Sequence, residues 1–295
     1  MVKNKMIFVS EPLLSNETKK NLLQCIKTEM ISSSGPYLKE FEKKWSSYCG
    51  VKYGVAVTNG TSALQIAFKS LNLKPGDEVI MPSFTIISCA LAIIETGAIP
   101  VMVDCYEDTW CLNIDEIEKK ITKKTKAILV VHMFGHPAEM SRLMKIKKKY
   151  KIKIVEDAAE AHGALYKKKV VGSFGDLACF SFYANKLVTT GEGGMVISNN
   201  KKLTEKLRSL RNLSFRSDRR FYHTEIGYNY RLTNLQAAVG LSQIKRIKKH
   251  IFIKRSNTFF YNKILNKMNL PIKLPSEKSY CSSVFWMYGI VIKNK

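Results

Sequence analysis

The sequence has no unbroken apolar run of about 18 residues, the length a membrane-spanning helix requires. Its first ten residues, Met1-Val-Lys-Asn-Lys-Met-Ile-Phe-Val-Ser10, carry too short an apolar core for a secretory signal. A cytosolic protein is the expectation. There is no Cys-x-x-Cys pair, and the seven cysteines (Cys25, Cys49, Cys89, Cys105, Cys111, Cys179, Cys281) are odd in number and scattered. That argues against a disulfide framework and against a structural zinc site. The five histidines form no His-Glu-x-x-His pair, so no metal is expected. Acidic residues are scarce, 24 against 48 Lys and Arg, for a formal charge of +24. The excess is mostly lysine in short clusters such as 145–149 and 167–169, rather than arginine among aromatics. Solvated faces explain that pattern better than a nucleic-acid groove does. A positive field also suits a small anionic substrate.

What is present reads as an α/β chain. Short apolar runs alternate with amphipathic stretches: Val55–Val57 before Ala63–Leu71, Glu78–Met81 before Ile86–Thr96, then Pro100–Asp104, Ala127–His132 and Lys153–Asp157. Runs of this kind predict a mostly parallel central sheet flanked by helices on both faces. Ligands in such sheets sit at the carboxyl ends of the strands, here at Asn59, Pro82-Ser83-Phe84, His132 and Asp157. Residues 232–265 hold helical periodicity, with no breaker after Gly240. After Pro271 and Pro275 the run Val284–Ile292 reads as a strand. The expected division is an N-terminal arm (1–15), a large domain (16–244) and part of a small C-terminal α+β domain (245–295).

Three features together carry chemistry. Lys186 lies among aromatic and small residues, just before the glycine-rich Thr190-Gly-Glu-Gly-Gly194, whereas most lysines sit in charged runs. An apolar setting lowers an amine's pKa and favours bonding to an aldehyde. Asp157 ends a buried strand, where a carboxylate is costly unless it meets a cation. Gly60, Thr61 and Ser62 stand at a strand-to-helix turn suited to a phosphate. An aldehyde-bonding lysine, a carboxylate for a protonated pyridine nitrogen and a phosphate cradle are what a pyridoxal 5'-phosphate (PLP) aminotransferase needs. Taken singly, each feature also fits a plain role: a helix cap, a strand-end cap, a turn, one lysine among many.

The combination, in this order, resembles the DegT/DnrJ/StrS sugar-nucleotide aminotransferases, fold-type I PLP enzymes. The resemblance runs from Ser34-Gly-Pro-Tyr37 to Arg231. It includes Asn59-Gly-Thr-Ser-Ala-Leu64, Gly76-Asp-Glu-Val-Ile-Met-Pro-Ser83, Glu156-Asp-Ala-Ala159, Lys186 and Thr190-Gly-Glu-Gly-Gly194. It implies that Lys186 bonds the cofactor and moves protons, and that Asp157 pairs with the pyridine nitrogen. Phe84 would lie against the ring, and Gly60, Thr61, Ser62 and Ser181 would hold the phosphate. Asn229 would reach the phosphate from the other subunit of a homodimer. Glu160 stands near the cofactor's phenolic oxygen, where many members carry glutamine. His162 and Arg231 are candidates for the sugar side.

The wording Ser181-Phe-Tyr-Ala-Asn-Lys186, with Arg219–His223 and Gly227–Asn234, is similar to the branch that aminates C4 of GDP-4-keto-6-deoxymannose with L-glutamate as donor. Enzymes for dTDP- or UDP-linked 4-keto-6-deoxyglucose share much of it. Members continue for several dozen residues past a segment like Phe285–Tyr288, so a shortened, non-catalytic PLP-binding protein is the alternative expectation. A related dehydratase is disfavoured, because Lys186 is present and no cysteine cluster is visible.

Overall fold

Seven short strands make the central sheet of the computed structural model, which describes residues 6, 8–216 and 218–292. In chain order they are β1 (Tyr53–Val57), β2 (Glu78–Pro82), β3 (Ile99–Val103), β4 (Thr125–Val131), β5 (Lys153–Asp157), β8 (Leu177–Ser181) and β9 (Gly194–Ser198). Between β5 and β8 lie two short strands, β6 (Leu165–Tyr166) and β7 (Lys169–Val170). The order across the sheet is β1-β9-β8-β5-β4-β2-β3, and only β9 runs antiparallel to its neighbours. Runs such as Ala-Ile-Leu-Val-Val in β4 are buried on both faces, as a covered parallel sheet requires.

The covering helices are α1 (Asn16–Lys27), α2 (Pro36–Tyr48), α3 (Gly60–Ser70), α4 (Ser88–Ile94), α5 (Ile114–Lys120), α6 (Met140–Tyr150), α7 (Lys201–Arg211) and α8 (Asn234–Ile244). In α2, Phe41 packs edge-on to Phe182 and Trp45 edge-on to both Phe180 of β8 and Phe182 just after it, all four fully buried. Two buried carboxylates tie elements together. Glu42 accepts from Arg208, Arg211 and the amide of Ala56, joining α2, α7 and β1. Glu156 accepts from His132 Nε2 and from the amides of Gly172, Phe174 and Gly175 at 2.6–3.0 Å. Ala138 donates to His132 Nδ1, so the ring's proton is on Nε2 and points at Glu156. Burial pushes the Glu156 carboxyl up, but His132 and the amides outweigh it and hold it below its ordinary range. Replacing Glu156 with alanine leaves four buried donors without an acceptor. It should cost about 3–5 kcal/mol, seen as a lower urea midpoint at unchanged slope. An unchanged midpoint would contradict this role.

Two expectations differ from the observed chain. The helical stretch 232–265 is not one helix: it breaks at Lys245–Arg246 into α8 and α9 (Ile247–Leu265). No proline or glycine makes the break. The Arg246 amide closes a tighter turn onto Gln243, and Lys245 pairs with Glu17 of α1. α8 is buried against α1 and α2, whereas α9 leaves Phe252, Phe259 and Phe260 exposed. The run 284–292 is not one strand either. Three two-residue strands remain in the region: β10 (Ile272–Lys273), β11 (Cys281–Ser282) and β12 (Val291–Ile292). Between β11 and β12, Val284 and Trp286 donate to Gly135 and Phe134, and Phe285 turns into the left-handed region (φ 46°). The run is apolar because it packs onto the segment after β4.

Candidate active site

β1, β2, β4, β5 and β8 end around one cavity of about 350 Å3. At one side the chain leaves β1 and turns straight into α3. Asn59 caps the helix, its Oδ1 accepting from the Ser62 amide at 2.8 Å. The amides of Gly60 and Thr61, in the first turn, have no carbonyl within the helix. A Cβ on Gly60 would lie 2.8 Å from the Ser181 Cβ, so only glycine lets β8 approach the helix start. A Cβ on Gly194 would lie 2.2 Å from the Asn59 carbonyl oxygen, which accounts for the last of the glycines after Thr190. Thr61 Oγ1 and Ser88 Oγ are 2.8 Å apart, and both residues line the cavity with Ser181. Free amides, hydroxyls and the positive end of a helix form an anion cradle.

Asp157 closes the cavity at the end of β5. It is 4% exposed; Oδ1 accepts from the Ala159 amide (3.0 Å) and Oδ2 from the Cys89 thiol (3.3 Å). No cation of the described residues pairs with it. Lys186 lies in the turn between β8 and β9, its Nζ 3.6 Å above the centre of the Trp286 ring. Burial lowers its pKa, while the carboxylates of Glu160 and Asp157 oppose that shift. Glu160 Oε2 accepts from the Phe134 amide at 2.7 Å. Its carboxyl is pushed up to about 7: burial raises it most, Lys186 and the Phe134 amide pull it down, and Asp157 adds to the rise.

A raised carboxyl pKa means that the folded chain binds the proton more tightly than the unfolded chain does. Stability then falls as pH rises from about 4.5 to about 7. Glu160→Gln keeps an acceptor for Phe134 and removes the titration. Its melting temperature relative to wild type should therefore climb across that window and level off above it. Parallel profiles would contradict the assignment.

The expected residues do not all converge. Lys186, Asp157, Glu160, Gly60, Thr61 and Ser181 line the cavity. Ser62 does not: it is buried, its hydroxyl 3.0 Å from that of Thr58 and its amide held by Asn59. Phe84 does not either; its ring is half exposed and edge-on to Phe134. The strand has ended at Pro82, strand alternation is lost, and Thr85 and Ile86 supply the lining instead. His162 is a core residue rather than a sugar-site one. It packs against Trp45 and Phe182, accepts from the Val188 amide at Nδ1, and burial drives its pKa down to about 3. The turn from Asp157, closed by Ala161 onto Ala158, swings it back under the sheet. Arg231 bonds Asn212 Oδ1 (2.9 Å), and its backbone bridges Val57, again outside the lining. Asn229 is exposed and likewise outside its own chain's cavity. Reasoning from sequence missed Ser88, Asn185 and Trp286, which join the site from α4, the Lys186 turn and the C-terminal run. No local motif marks Ser88 or Trp286, whereas Asn185 lies in the Ser181–Lys186 segment, next to the lysine.

The donor set suits PLP: an amine with no hydrogen bond, a buried carboxylate lacking a cation, and an anion cradle. A further mark of an open partner is Asn185 Oδ1, buried without one. The model of the DegT/DnrJ/EryC1/StrS aminotransferase family matches residues 12–295. The chain belongs to that family. It is a PLP-dependent aminotransferase of fold type I. It is 40% identical over 289 residues to the GDP-perosamine synthase of Escherichia coli O157:H7, covering 98% of this chain and 79% of the relative. It is 44% identical over 206 residues to the dTDP-3-amino-3,4,6-trideoxy-alpha-D-glucose transaminase of Streptomyces venezuelae, covering 70% and 54%. The solved structure of Helicobacter pylori PseC, an aminotransferase of pseudoaminic acid biosynthesis, superposes with a TM-score of 0.92. Its identity is 29%, with 98% of this chain and 78% of that one covered. In this aminotransferase, no helix of the described residues is long and apolar enough to cross a membrane.

Proposed function

We propose that this aminotransferase moves the amino group of L-glutamate to C4 of a nucleotide-linked 4-keto-6-deoxyhexose. The observation that carries the reading is the 40% identity along 98% of the chain, with the lysine, carboxylate and anion cradle gathered around one cavity. Gly60, Thr61, Ser88 and Ser181 would hold the phosphate, Asp157 the pyridine nitrogen, and Lys186 the aldehyde. When bound, PLP supplies an electron sink at the carbon that bears the transferred nitrogen.

The chain's own residues do the rest. Lys186, its pKa lowered by burial, would take the proton from the donor carbon that loses the nitrogen and, in the second half of the cycle, deliver one to C4 of the sugar, which gains it. The carboxylate of Asp157 would hold the proton on the ring nitrogen. Trp286, over Lys186, limits the water that reaches the amine. Ile86, Ile87, Leu91 and Ile94 present an exposed apolar face beside the cavity. That face supports a homodimer in which Asn229 reaches the partner's phosphate end. The division into an arm (1–15), a large domain (16–244) and a small unit (245–295) belongs to the same proposal.

The test is the specificity constant for C4 amination, compared across GDP-, dTDP- and UDP-linked 4-keto-6-deoxyhexoses. GDP-4-keto-6-deoxymannose should lead by at least tenfold. The likeness to the dTDP-sugar transaminase makes dTDP the competing outcome.

A further inference from the structure

The cavity at Lys186 is acidic apart from its lysine. Its other charged lining residues are Asp157, Glu160 and Glu192. An amino-acid donor brings carboxylate to this place, and beside three acids a desolvated carboxylate is unfavourable unless a cation meets it.

Such a cation stands in the adjoining cavity. A space of about 140 Å3 shares Lys186 as part of its wall and is lined also by Gln243, His250 and Lys254. Lys254, on α9, is half-buried. Its ammonium donates to the main-chain carbonyl of Trp286 at 3.2 Å and pairs with no carboxylate of the described residues. Trp286 is also the residue whose ring covers the Lys186 amine, so one residue separates the two lysines. Burial lowers the pKa of Lys254, a cost that an anion would offset. His250 lies one helical turn earlier on the same face. Its Nδ1 donates to the Leu187 carbonyl at 2.9 Å, while Nε2 is buried with no partner. The one acid lining this space, Glu11, lies on the exposed arm.

We propose that Lys254 binds a carboxylate of the amino-acid donor in the cavity adjoining Lys186. The proposal rests on the aminotransferase reading above and assigns the donor a group that the cofactor cavity lacks. The keto sugar carries no carboxylate.

The test uses the PLP-loaded full chain. Glutarate, an unreactive dicarboxylate, is titrated by calorimetry into wild type, Lys254→Met and Lys254→Arg. Steady-state KM is measured for glutamate and, separately, for the keto sugar. Wild type and Lys254→Arg should bind glutarate. Lys254→Met should bind it at least tenfold more weakly and raise the glutamate KM at least tenfold, with the keto-sugar KM within twofold. Lys254→Gln repeats the comparison should the methionine variant fail to fold. No glutarate binding to wild type, or a glutamate KM in Lys254→Met within twofold of wild type, overturns the assignment. If wild type transfers no amino group to any keto sugar, the function reading fails first, and the calorimetry still decides whether Lys254 holds a carboxylate.

Discussion

Lys186→Ala abolishes amino transfer, by a factor of at least about 10^3, and leaves the fold in place. Proton movement by a positioned base is worth about 10^2–10^4, and the bond to the cofactor aldehyde is lost with it. Stability should hardly change, because Nζ makes no hydrogen bond and rests over the Trp286 face. A cation–π contact of about 0.5–2 kcal/mol is set against the cost of keeping an amine half-buried. The melting temperature should stay within about 3 °C of wild type. Turnover is measured with glutamate and the keto sugar. In parallel, borohydride treatment and peptide mass mapping should find the cofactor fixed on the Lys186 peptide in wild type and nowhere in the variant. Turnover within tenfold of wild type would remove Lys186 from the chemistry.

Asp157→Asn separates function from stability, with effects of opposite sign. The buried carboxylate has one amide and one thiol as donors and no cation of the described chain. In the cofactor-free protein its charge is therefore a desolvation cost that asparagine removes, while still accepting from the Ala159 amide. The PLP-free variant should melt at or above wild type. With cofactor the sign reverses. A neutral amide cannot support a protonated pyridine nitrogen, and turnover should fall by about 10^2–10^3, together with weaker PLP binding by fluorescence titration. A variant that is destabilised without PLP yet catalytically normal would show that Asp157 is structural, as a strand-end cap.

Much of this was legible in the sequence because it is local. Val55–Val57 running into Asn59-Gly-Thr-Ser62 forecast both the strand and the capped helix, since strand period, cap residue and glycine lie within a few positions. Asp157 and Lys186 were visible as polar residues at the edge of apolar runs. What was not legible depends on how distant segments meet. Ser62 and Phe84 sit beside the right residues in sequence but face away, because the first helical turn and the bend after Pro82 redirect them. His162 looked like a site residue by proximity, but it is enclosed by Trp45 from α2, more than a hundred positions earlier. Trp286 could not be placed at all from its neighbours. It reaches the lysine through hydrogen bonds that the Val284 and Trp286 amides donate to the segment after β4, which no pattern within residues 284–292 encodes. The break between α8 and α9 was invisible because burial on one side and exposure on the other, rather than a breaker residue, divides the stretch.

The most direct test of the account is the visible absorbance of the PLP-loaded protein, followed first with glutamate and then with GDP-4-keto-6-deoxymannose. The account predicts that the cofactor band bleaches on glutamate and returns on the keto sugar in wild type, and that neither change occurs in Lys186→Ala. A wild-type band that does not respond to glutamate, or a Lys186→Ala protein that completes both steps, would contradict it.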